Sequence, residues 1–580
     1  MKIYKSPHPD IDLPQLDILS FLFDSDHCQA QEDTKIHVEA ANPTNSITKS
    51  QARHLTRRLA YIFRHEYNIG HAGPGRDHIL TCLYGSPFAP VLFYGIVAAG
   101  GIFCGANTEY KPSEIAHQIK DSKTTLLICS PDCQDRITSA AKQTGIPSSN
   151  ILLVDSSTPG PENWKLIRLF DNVDLLSRHA GSTLAYPRIT DPNTLRNTAT
   201  CLLYSSGTTG LPKGVRIPHS ALVANNVCTM AVARRYQASS TTPSPKTKPP
   251  FRFDTIAHLP MANIAGISLY ATNPFYMGGT TYWMHHYDFA QFIVHHKQFR
   301  PAYQFSVPPI WLRIAKSELV TDHFDHLQVA VTGSAPIGPE TIASVRQKLG
   351  GKIGGCDMAQ TWGITEATGV VTASEWREYR ESGRWSVGEL CPNVRARVVD
   401  EDENDVDIGS AGELWISGPI LAQGYHERPE ATAESFVEPG ATVGDMDRWY
   451  KTGDIGTIDD RGSISIIDRK KELIKYKGAQ VAPAELEAVL TSNPEIADAA
   501  VIGIWDAEQQ TEVPRGYAVR RAGSHVSEKD VQNYVAARVA PYKQLRGGIF
   551  FLEEIPKSAS GKILRKELRV KASQVGKAKL

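Results

Sequence analysis

The stretch YSSGTTGLPKGV occupies residues 204–215 and continues an apolar run, ATCLLYSS, that is typical of a buried strand. Glycines allow the backbone to approach an anion, hydroxyls and amides donate to phosphate oxygens, and a lysine adds a point charge. The glycines do not have the spacing to the lysine that G-x-x-x-x-G-K-[ST] requires. We therefore predict a phosphate-binding loop of a different type. Its residues are Ser205, Ser206, Gly207, Thr208, Thr209, Gly210 and Lys213.

The segments around this loop alternate between strand and helix patterns. TTLLICS (124–130) and NILLVD (150–155) enclose a helical stretch, which is the pattern of a parallel sheet with helical crossovers. From about Trp385 short strands alternate with Gly/Asp turns, which predicts a small β-rich subdomain. The charged run DRKKELIKYKG (468–478) then precedes a last unit of about 110 residues that mixes helix and strand. The fold class is therefore α/β.

Composition excludes several classes of protein. The chain has 580 residues, with 62 Lys+Arg and 62 Asp+Glu, so no net charge would attract nucleic acid, and we expect no nucleic-acid partner. Its nine cysteines form no C-x-x-C pair, which predicts buried thiols in a reducing compartment. The longest uncharged apolar run, from Phe88 to Ala106, contains Pro90 and four glycines. We expect a buried helix and a strand there, and no transmembrane span.

The loop at 204–215 resembles the signature loop of the adenylate-forming superfamily, which includes acyl-CoA synthetases, peptide-synthetase adenylation domains and beetle luciferases. The resemblance extends from about residue 40 to 570. GGIFCGANTEYKPSEIAHQIKDS (100–122) is similar to the 4-coumarate–CoA ligase and luciferase branch. It implies a large adenylation region with a small β subdomain over residues 1–468, a hinge over 469–471 and a mobile α+β domain over 472–580.

Three further segments resemble the nucleotide motifs of the superfamily: AVTGSAPIG (330–338), QTWGITE (360–366) and YKTGD (450–454). The resemblance implies that Trp362 stacks on adenine, that Thr365 meets phosphate, and that Glu366 is an oxygen ligand for the Mg²⁺ accompanying ATP. It places Asp454 and Arg469 on the ribose. The implied nucleotide-binding residues of these segments are Gly333, Ser334, Ala335, Gln360, Trp362, Gly363 and Asp454, and Arg469 of the charged run 468–478 is added to them.

The last unit carries two motifs with lysines of interest. PKSASGKILRKEL (556–568) resembles the final motif of the superfamily, which implies that Lys562 neutralises charge as the acyl oxygen attacks phosphorus. KELIKYKGAQVAPAELE (471–487) resembles the motif after the hinge, and Lys475 and Gln480 are implied to act in the second half-reaction.

The segment LPMANIAGI (259–267) departs from the superfamily pattern. Asn263 stands at the position of a histidine, Ala262 at that of an aromatic residue, and Ala265 where 4-coumarate ligases carry a tyrosine. These small side chains predict a wider or longer acyl pocket, and Asn263 could hydrogen-bond a polar substrate group. The predicted pocket residues are Asn263, Ala265, Gly266 and Gly333.

The resemblance implies a two-step ligase with ATP, Mg²⁺ and coenzyme A. A carboxylic acid and ATP give acyl-AMP and pyrophosphate, and the thiol of coenzyme A then displaces AMP. An aryl, fatty or secondary-metabolite acid is compatible with the sequence. The alternative is an adenylating enzyme that transfers the acyl group to a carrier protein or an amine. A luciferase-like oxygenase and a nucleotide-binding pseudo-enzyme are weaker alternatives.

The chain ends with Ala578-Lys579-Leu580, which resembles the small–basic–Leu peroxisomal address. We therefore expect a peroxisomal import receptor as a partner, with the cytosol as the alternative location.

Overall fold

The structure is a computed structural model. It describes residues 2–205, 212–239, 250–335, 337–351, 355–376, 386–438, 448–477, 479–506, 509, 511–558 and 561–577. The predicted loop residues Ser206 to Gly210 and the tripeptide Ala578–Leu580 lie outside the described residues, as does the side chain of Gln480.

The largest sheet of the described chain has nine strands. Five central strands run parallel, and the outer strands pair antiparallel. In spatial order the strands are Gly424–Tyr425, Lys213–Pro218, Ala199–Ser205, Ile102–Gly105, His78–Cys82, Leu126–Cys129, Ile151–Asp155, Lys165–Arg168 and Val173–Asp174. This is the parallel sheet that the alternating pattern predicts, and the two strands that flank the phosphate-loop sequence lie second and third from one edge, next to the edge strand Gly424–Tyr425.

Two smaller sheets complete the core of the large region. A four-stranded sheet contains Thr255–Ala257, Thr281–Trp283, Lys35–Glu39 and Ser46–Thr48, and a parallel three-stranded sheet contains Tyr303–Ser306, Val329–Thr332 and Asp357–Gln360. Short antiparallel pairs follow, Gly363–Ile364 with Gly369–Val370 and Thr372–Ala373 with Glu389–Leu390. Because parallel strands end at the same edge, Gly333 and Thr361 follow adjacent strands and lie together.

The predicted β-rich subdomain forms a six-stranded sheet. Its strands are Tyr4–Lys5, Arg395–Val399, Gly412–Ser417, Trp449–Ile458, Phe436–Val437 and Ile464–Arg469. The last of these strands ends at Arg469, which is the first residue of the predicted hinge.

The last part of the chain has a hairpin, Ile474–Tyr476 with Ala479–Val481, and a three-stranded sheet of Ile496–Asp506, Thr511–Arg520 and Ile549–Phe551. Separate apolar clusters cover the two faces of this sheet. The mixture of helix and strand is the one that the sequence predicts for this unit.

The helices surround these sheets. The α-helices of the described residues are Lys49–Tyr67, Phe88–Ala98, Pro112–Ser122, Gln134–Thr144, Leu175–Arg178, Pro192–Asn197, His219–Ser239, Ile264–Gly266, Asn273–Tyr276, Phe289–Phe299, Pro308–Lys316, Pro339–Arg346, Pro429–Ser435, Pro483–Ser492, Glu528–Ala536 and Arg565–Lys577. Short 3₁₀ helices span Pro131–Cys133, Ser148–Asn150, Thr365–Ala367 and Pro541–Lys543, and π-helices span Ser20–Asp24 and Ile267–Thr272.

The apolar run at 88–106 is part of the core. Helix Phe88–Ala98 is buried along its whole length, and Gly100 turns the chain with a φ of +84° into strand Ile102–Gly105. A Cβ at Gly95 would lie 2.6 Å from that of Leu59, so a glycine is needed where two helices meet closely. Among the described residues no helix has the length and apolarity that a membrane crossing requires.

Candidate active site

A cavity of about 390 Å³ lies between the large region and the last unit of the chain. Both parts contribute to its wall, since the helix starting at Pro308 and the helix starting at Pro483 each supply lining residues. The predicted site residues that line this cavity are Ser334, Ala335, Gln360, Trp362, Gly363, Asp454, Arg469 and Lys562. The fold thus brings together residues from five separate segments of the sequence.

Asp454 is the anchor of the predicted ribose site. Its carboxylate is 3% exposed, accepts from the Trp362 indole N–H at 2.8 Å, and lies 2.6 Å from Arg469 Nε. Asp454 and Arg469 are direct partners on adjacent strands, which fixes this ion pair. Burial raises the pKa of Asp454, while Arg469 and the indole hydrogen bond act in the opposite direction. Lone pairs remain on both oxygens, so the group can still accept from ribose hydroxyls.

Lys562 enters the cavity from the last unit of the chain. Its loop turns at Gly561, whose φ is +76°, and closes with a hydrogen bond from the Ser558 N–H to the Lys562 carbonyl. Lys562 is solvent-exposed and lines the cavity. Desolvation by the protein atoms around the cavity, and next the nearby Arg469, lower the pKa of Lys562, whereas Glu366 and Asp454 act against that shift. The lysine thus faces two carboxylates where the ribose and phosphate are expected.

The ends of the phosphate-loop sequence are held side by side. Ser205 is the last residue of one strand and Lys213 the first of the next, and the two are direct antiparallel partners. The Lys213 ammonium lies 4.8 Å from the ring centroid of Tyr425. The residues between these two strand ends are those of the predicted phosphate loop.

Glu366 lies in a short turn, Thr365–Ala367, after strand Gly363–Ile364. Its carboxylate is 7% exposed, and Oε1 accepts from the Tyr425 hydroxyl at 3.1 Å. A buried carboxylate that shares the contact of Tyr425 with Lys213 is an oxygen donor of the kind that Mg²⁺ prefers, so the residues present fit that ion. Sequence reasoning missed Tyr425. The signal available in the sequence was the preceding glycine, Gly424, whose φ in the structure is +136°.

The predicted acyl-pocket residues fall into two groups. Asn263 begins the short helix Ile264–Gly266, and the side chains of Asn263 and Ala265 are partly accessible. Gly266 and Gly333 are buried and have a packing role. A Cβ at Gly266 would lie 2.2 Å from the Pro260 carbonyl oxygen, and one at Gly333 3.0 Å from that of Thr361.

Lys475 lies outside the cavity wall. It is exposed on the hairpin Ile474–Tyr476, where its direct partner is Gln480, and its backbone N–H donates to Glu512 at 2.8 Å. The structure therefore brings Lys562 to the nucleotide residues and leaves Lys475 apart from them.

Comparisons with known proteins agree with this arrangement. The AMP-binding enzyme family matches residues 25–426, and the AMP-binding enzyme C-terminal domain matches residues 485–562. The chain belongs to the AMP-binding enzyme family. The predicted membership of the adenylate-forming superfamily is confirmed.

Two relatives and one solved structure illustrate the match. A protein of Emericella nidulans whose name describes an acyl-coenzyme A synthetase is 42% identical over 98% of this chain and 98% of its own. Phenylacetyl-CoA ligase epaB of Aspergillus niger is 32% identical over 97% of this chain and 98% of its own. ATP-bound MatB from Rhodopseudomonas palustris has a TM-score of 0.77 at 23% identity, covering 96% of this chain and 99% of its own, and supports the fold alone.

The predicted activity and fold class are confirmed. This member of the AMP-binding enzyme family is an ATP-dependent, AMP-forming acyl-CoA ligase with a mixed α/β fold, and the carrier-protein or amine alternative is not favoured. The roles assigned to single residues and the domain boundaries at 468 and 472 remain predictions.

Proposed function

We propose that this acyl-CoA ligase activates an aryl, fatty or secondary-metabolite carboxylic acid whose acyl group is bulkier than a coumaroyl group. The observation that supports the chemistry is the convergence of Asp454, Arg469, Trp362 and Lys562 on one cavity. The observation that supports the acid is that Ala262, Asn263 and Ala265, which have small side chains, are partly accessible.

In the first half-reaction a carboxylate oxygen of the acid attacks the α-phosphorus of ATP, and pyrophosphate leaves. Asp454 and Arg469 hold the ribose, because the carboxylate can accept from its hydroxyls and the guanidinium fixes that carboxylate. Lys562 lies opposite them and stabilises the negative charge that accumulates on the phosphoryl oxygens. Lys213 and Thr365 are the residues proposed to meet the outer phosphates.

Glu366 would hold the Mg²⁺ ion that accompanies ATP, and that ion would neutralise phosphate charge. The buried carboxylate of Glu366 and its bond from Tyr425 are the features that support this assignment.

In the second half-reaction the thiol of coenzyme A attacks the acyl carbon, and AMP leaves. Lys475 and Gln480 are the residues proposed for this step. Because Lys475 is exposed on a hairpin outside the cavity wall, the step requires the last unit to change its orientation.

Mass spectrometry of purified protein with ATP, coenzyme A and a panel of acids tests this proposal. The panel contains coumarate, phenylacetate, and medium- and long-chain fatty acids. We expect acyl-CoA and AMP, with the highest kcat/KM for acids bulkier than coumarate. A preference for coumarate would contradict the pocket assignment. Formation of acyl-AMP but no acyl-CoA from every acid in the panel would contradict the assignment as an acyl-CoA ligase.

We also propose import into peroxisomes through Ala578-Lys579-Leu580. The support is the tripeptide sequence alone. A fluorescent protein fused in front of the chain should give punctate fluorescence that becomes diffuse when the tripeptide is removed. Puncta that persist without it would show that the address lies elsewhere.

A further inference from the structure

Tyr425 occupies a fixed position between two motifs that are distant in the sequence. Its strand pairs with the strand of Lys213, with Tyr425 opposite Val215, and its backbone N–H donates to Thr432 Oγ1 at 3.0 Å. At the preceding Gly424 a Cβ would lie 2.4 Å from Thr432 Cγ2, so the backbone there has little freedom. The ring therefore starts from a constrained backbone.

The two ends of the Tyr425 side chain contact groups of opposite charge. Its hydroxyl donates to Glu366 Oε1 at 3.1 Å, and the Lys213 ammonium lies over its ring at 4.8 Å from the centroid. The hydroxyl of Tyr450 lies 3.4 Å from that of Tyr425 on the side of the ribose motif.

This arrangement prevents a competing contact. A lysine and a glutamate near one another in a partly dehydrated site would attract each other and form a direct ion pair. Such a pair would occupy the ammonium that phosphate needs and the carboxylate that a cation needs. Among the described residues Lys213 and Glu366 form no ion pair; the ring of Tyr425 contacts the ammonium, and its hydroxyl contacts the carboxylate.

We propose that Tyr425 is a positioning residue that holds Lys213 and Glu366 apart, which leaves Glu366 for the cation of ATP and Lys213 for its phosphates. The inference rests on the proposed assignment of Glu366 to that cation. The phenol acts on the carboxylate, and the ring acts on the ammonium. The two contributions can therefore be removed separately.

The test measures the binding of Mn²⁺, as a substitute for Mg²⁺, by electron paramagnetic resonance of the full chain with a non-hydrolysable ATP analogue. Tyr425→Phe keeps the ring and removes the hydroxyl, so the dissociation constant for Mn²⁺ should rise about tenfold, as expected for a lost hydrogen bond to a charged group. Metal-free nucleotide binding should stay within about twofold of wild type, because the ring under Lys213 is retained.

Tyr425→Leu removes the ring as well. We expect it to weaken Mn²⁺ binding at least as much and also to weaken metal-free nucleotide binding, because Lys213 can then reach Glu366. The matched control is Tyr186→Phe, which removes a hydroxyl bonded to Asp24 at 2.9 Å away from the cavity wall. It should change neither binding constant.

Equal Mn²⁺ affinity in Tyr425→Phe and wild type would overturn the inference. So would a parallel loss of metal-free nucleotide binding in Tyr425→Phe, which would indicate a general structural defect. Failure of the proposed function has a different signature, since wild-type protein would then bind the nucleotide but form no acyl-AMP from any acid.

Discussion

Lys316 connects the large region to the last unit of the chain, and its replacement should affect one half-reaction only. It ends the helix Pro308–Lys316, and its ammonium donates to the Ile496 carbonyl at 2.5 Å. A second carbonyl, that of Thr491, lies at 3.5 Å, and Arg521 donates to the Lys316 carbonyl at 3.2 Å. These contacts hold the orientation in which Lys562 reaches the nucleotide residues.

The magnitude follows from the first of these bonds. A hydrogen bond from a charged donor contributes about 1.5–3 kcal/mol, and a contact at 3.5 Å adds little. Burial, followed by the nearby Arg521, lowers the pKa of Lys316, so part of that gain is offset by the cost of removing water from the ammonium. We therefore expect Lys316→Met to weaken the observed orientation by about 1–2 kcal/mol, which is a factor of roughly 5–30.

Two assays separate the consequences. ATP–pyrophosphate exchange, which reports adenylation, should fall by up to that factor in Lys316→Met. Thioester formation from supplied acyl-AMP and coenzyme A should stay equal or become faster, since it does not need this orientation. Met retains the length of the apolar stem and the helix propensity.

The control is Lys297→Met, which removes an exposed ammonium 2.8 Å from Asp322 within the large region. It should alter neither half-reaction, because an exposed pair contributes little. Unchanged pyrophosphate exchange in Lys316→Met, or equal losses in both half-reactions, would refute the reasoning.

Three further predictions follow from the site. Lys562→Ala should lower the rate of adenylation by roughly 10²–10³, as for a lost oxyanion donor, yet still convert supplied acyl-AMP to the thioester. Lys475→Ala should adenylate normally and lose thioester formation with coenzyme A. Equal losses in both half-reactions in both variants would contradict this separation. Ala265→Tyr should lower kcat/KM for long acids relative to short ones by an amount equivalent to roughly 1–3 kcal/mol, because the ring removes pocket volume. Unchanged relative kcat/KM values across chain lengths would show that Ala265 does not line the pocket. Burial raises the pKa of Asp468 to about 6, above the ordinary value near 4, so its stabilisation is lost as pH rises from about 4 to 6. Asp468→Asn should reduce the decrease of the thermal unfolding midpoint between about pH 4 and 6. If the midpoint of the variant depends on pH as that of wild type does, Asp468 does not cause the decrease.

The sequence predicts those parts of the fold that local pattern determines. The apolar run before the phosphate loop is strand Ala199–Ser205, and the run at 88–106 is a buried helix, a glycine turn and a strand. In each case the length of the run, its periodicity and its glycines are sufficient, because burial and backbone freedom are properties of neighbouring residues.

The contacts that tune the site could not be predicted in this way. Tyr425 and Glu366 are 59 residues apart, and Lys316 and Ile496 are 180 apart, so no spacing rule connects them. Lys316 resembles any lysine in the last turn of a surface helix, where a solvated ammonium is the ordinary state. Gly266 is a different case: the motif predicts that it lines the pocket, and in the structure it also allows a close backbone contact with Pro260.

Residues of the predicted hinge at 469–471 are bound mainly by the large region of the chain. Arg469 pairs with Asp454, and Lys470 is bound twice, by its N–H to the Gly453 carbonyl at 2.8 Å and by its ammonium to Glu413 at 2.8 Å. The Glu472 side chain is bound by the last unit, since its carboxylate pairs with Arg565, while the Glu472 N–H donates to the Arg469 carbonyl at 2.8 Å. A rotation about a residue before Lys470 would break the ribose site itself, whereas a rotation at Lys471 would leave Asp454 and Arg469 in place for acyl-AMP. In the proposed mechanism the adenylate stays bound while Lys562 departs, and of these two pivots the later one meets that requirement.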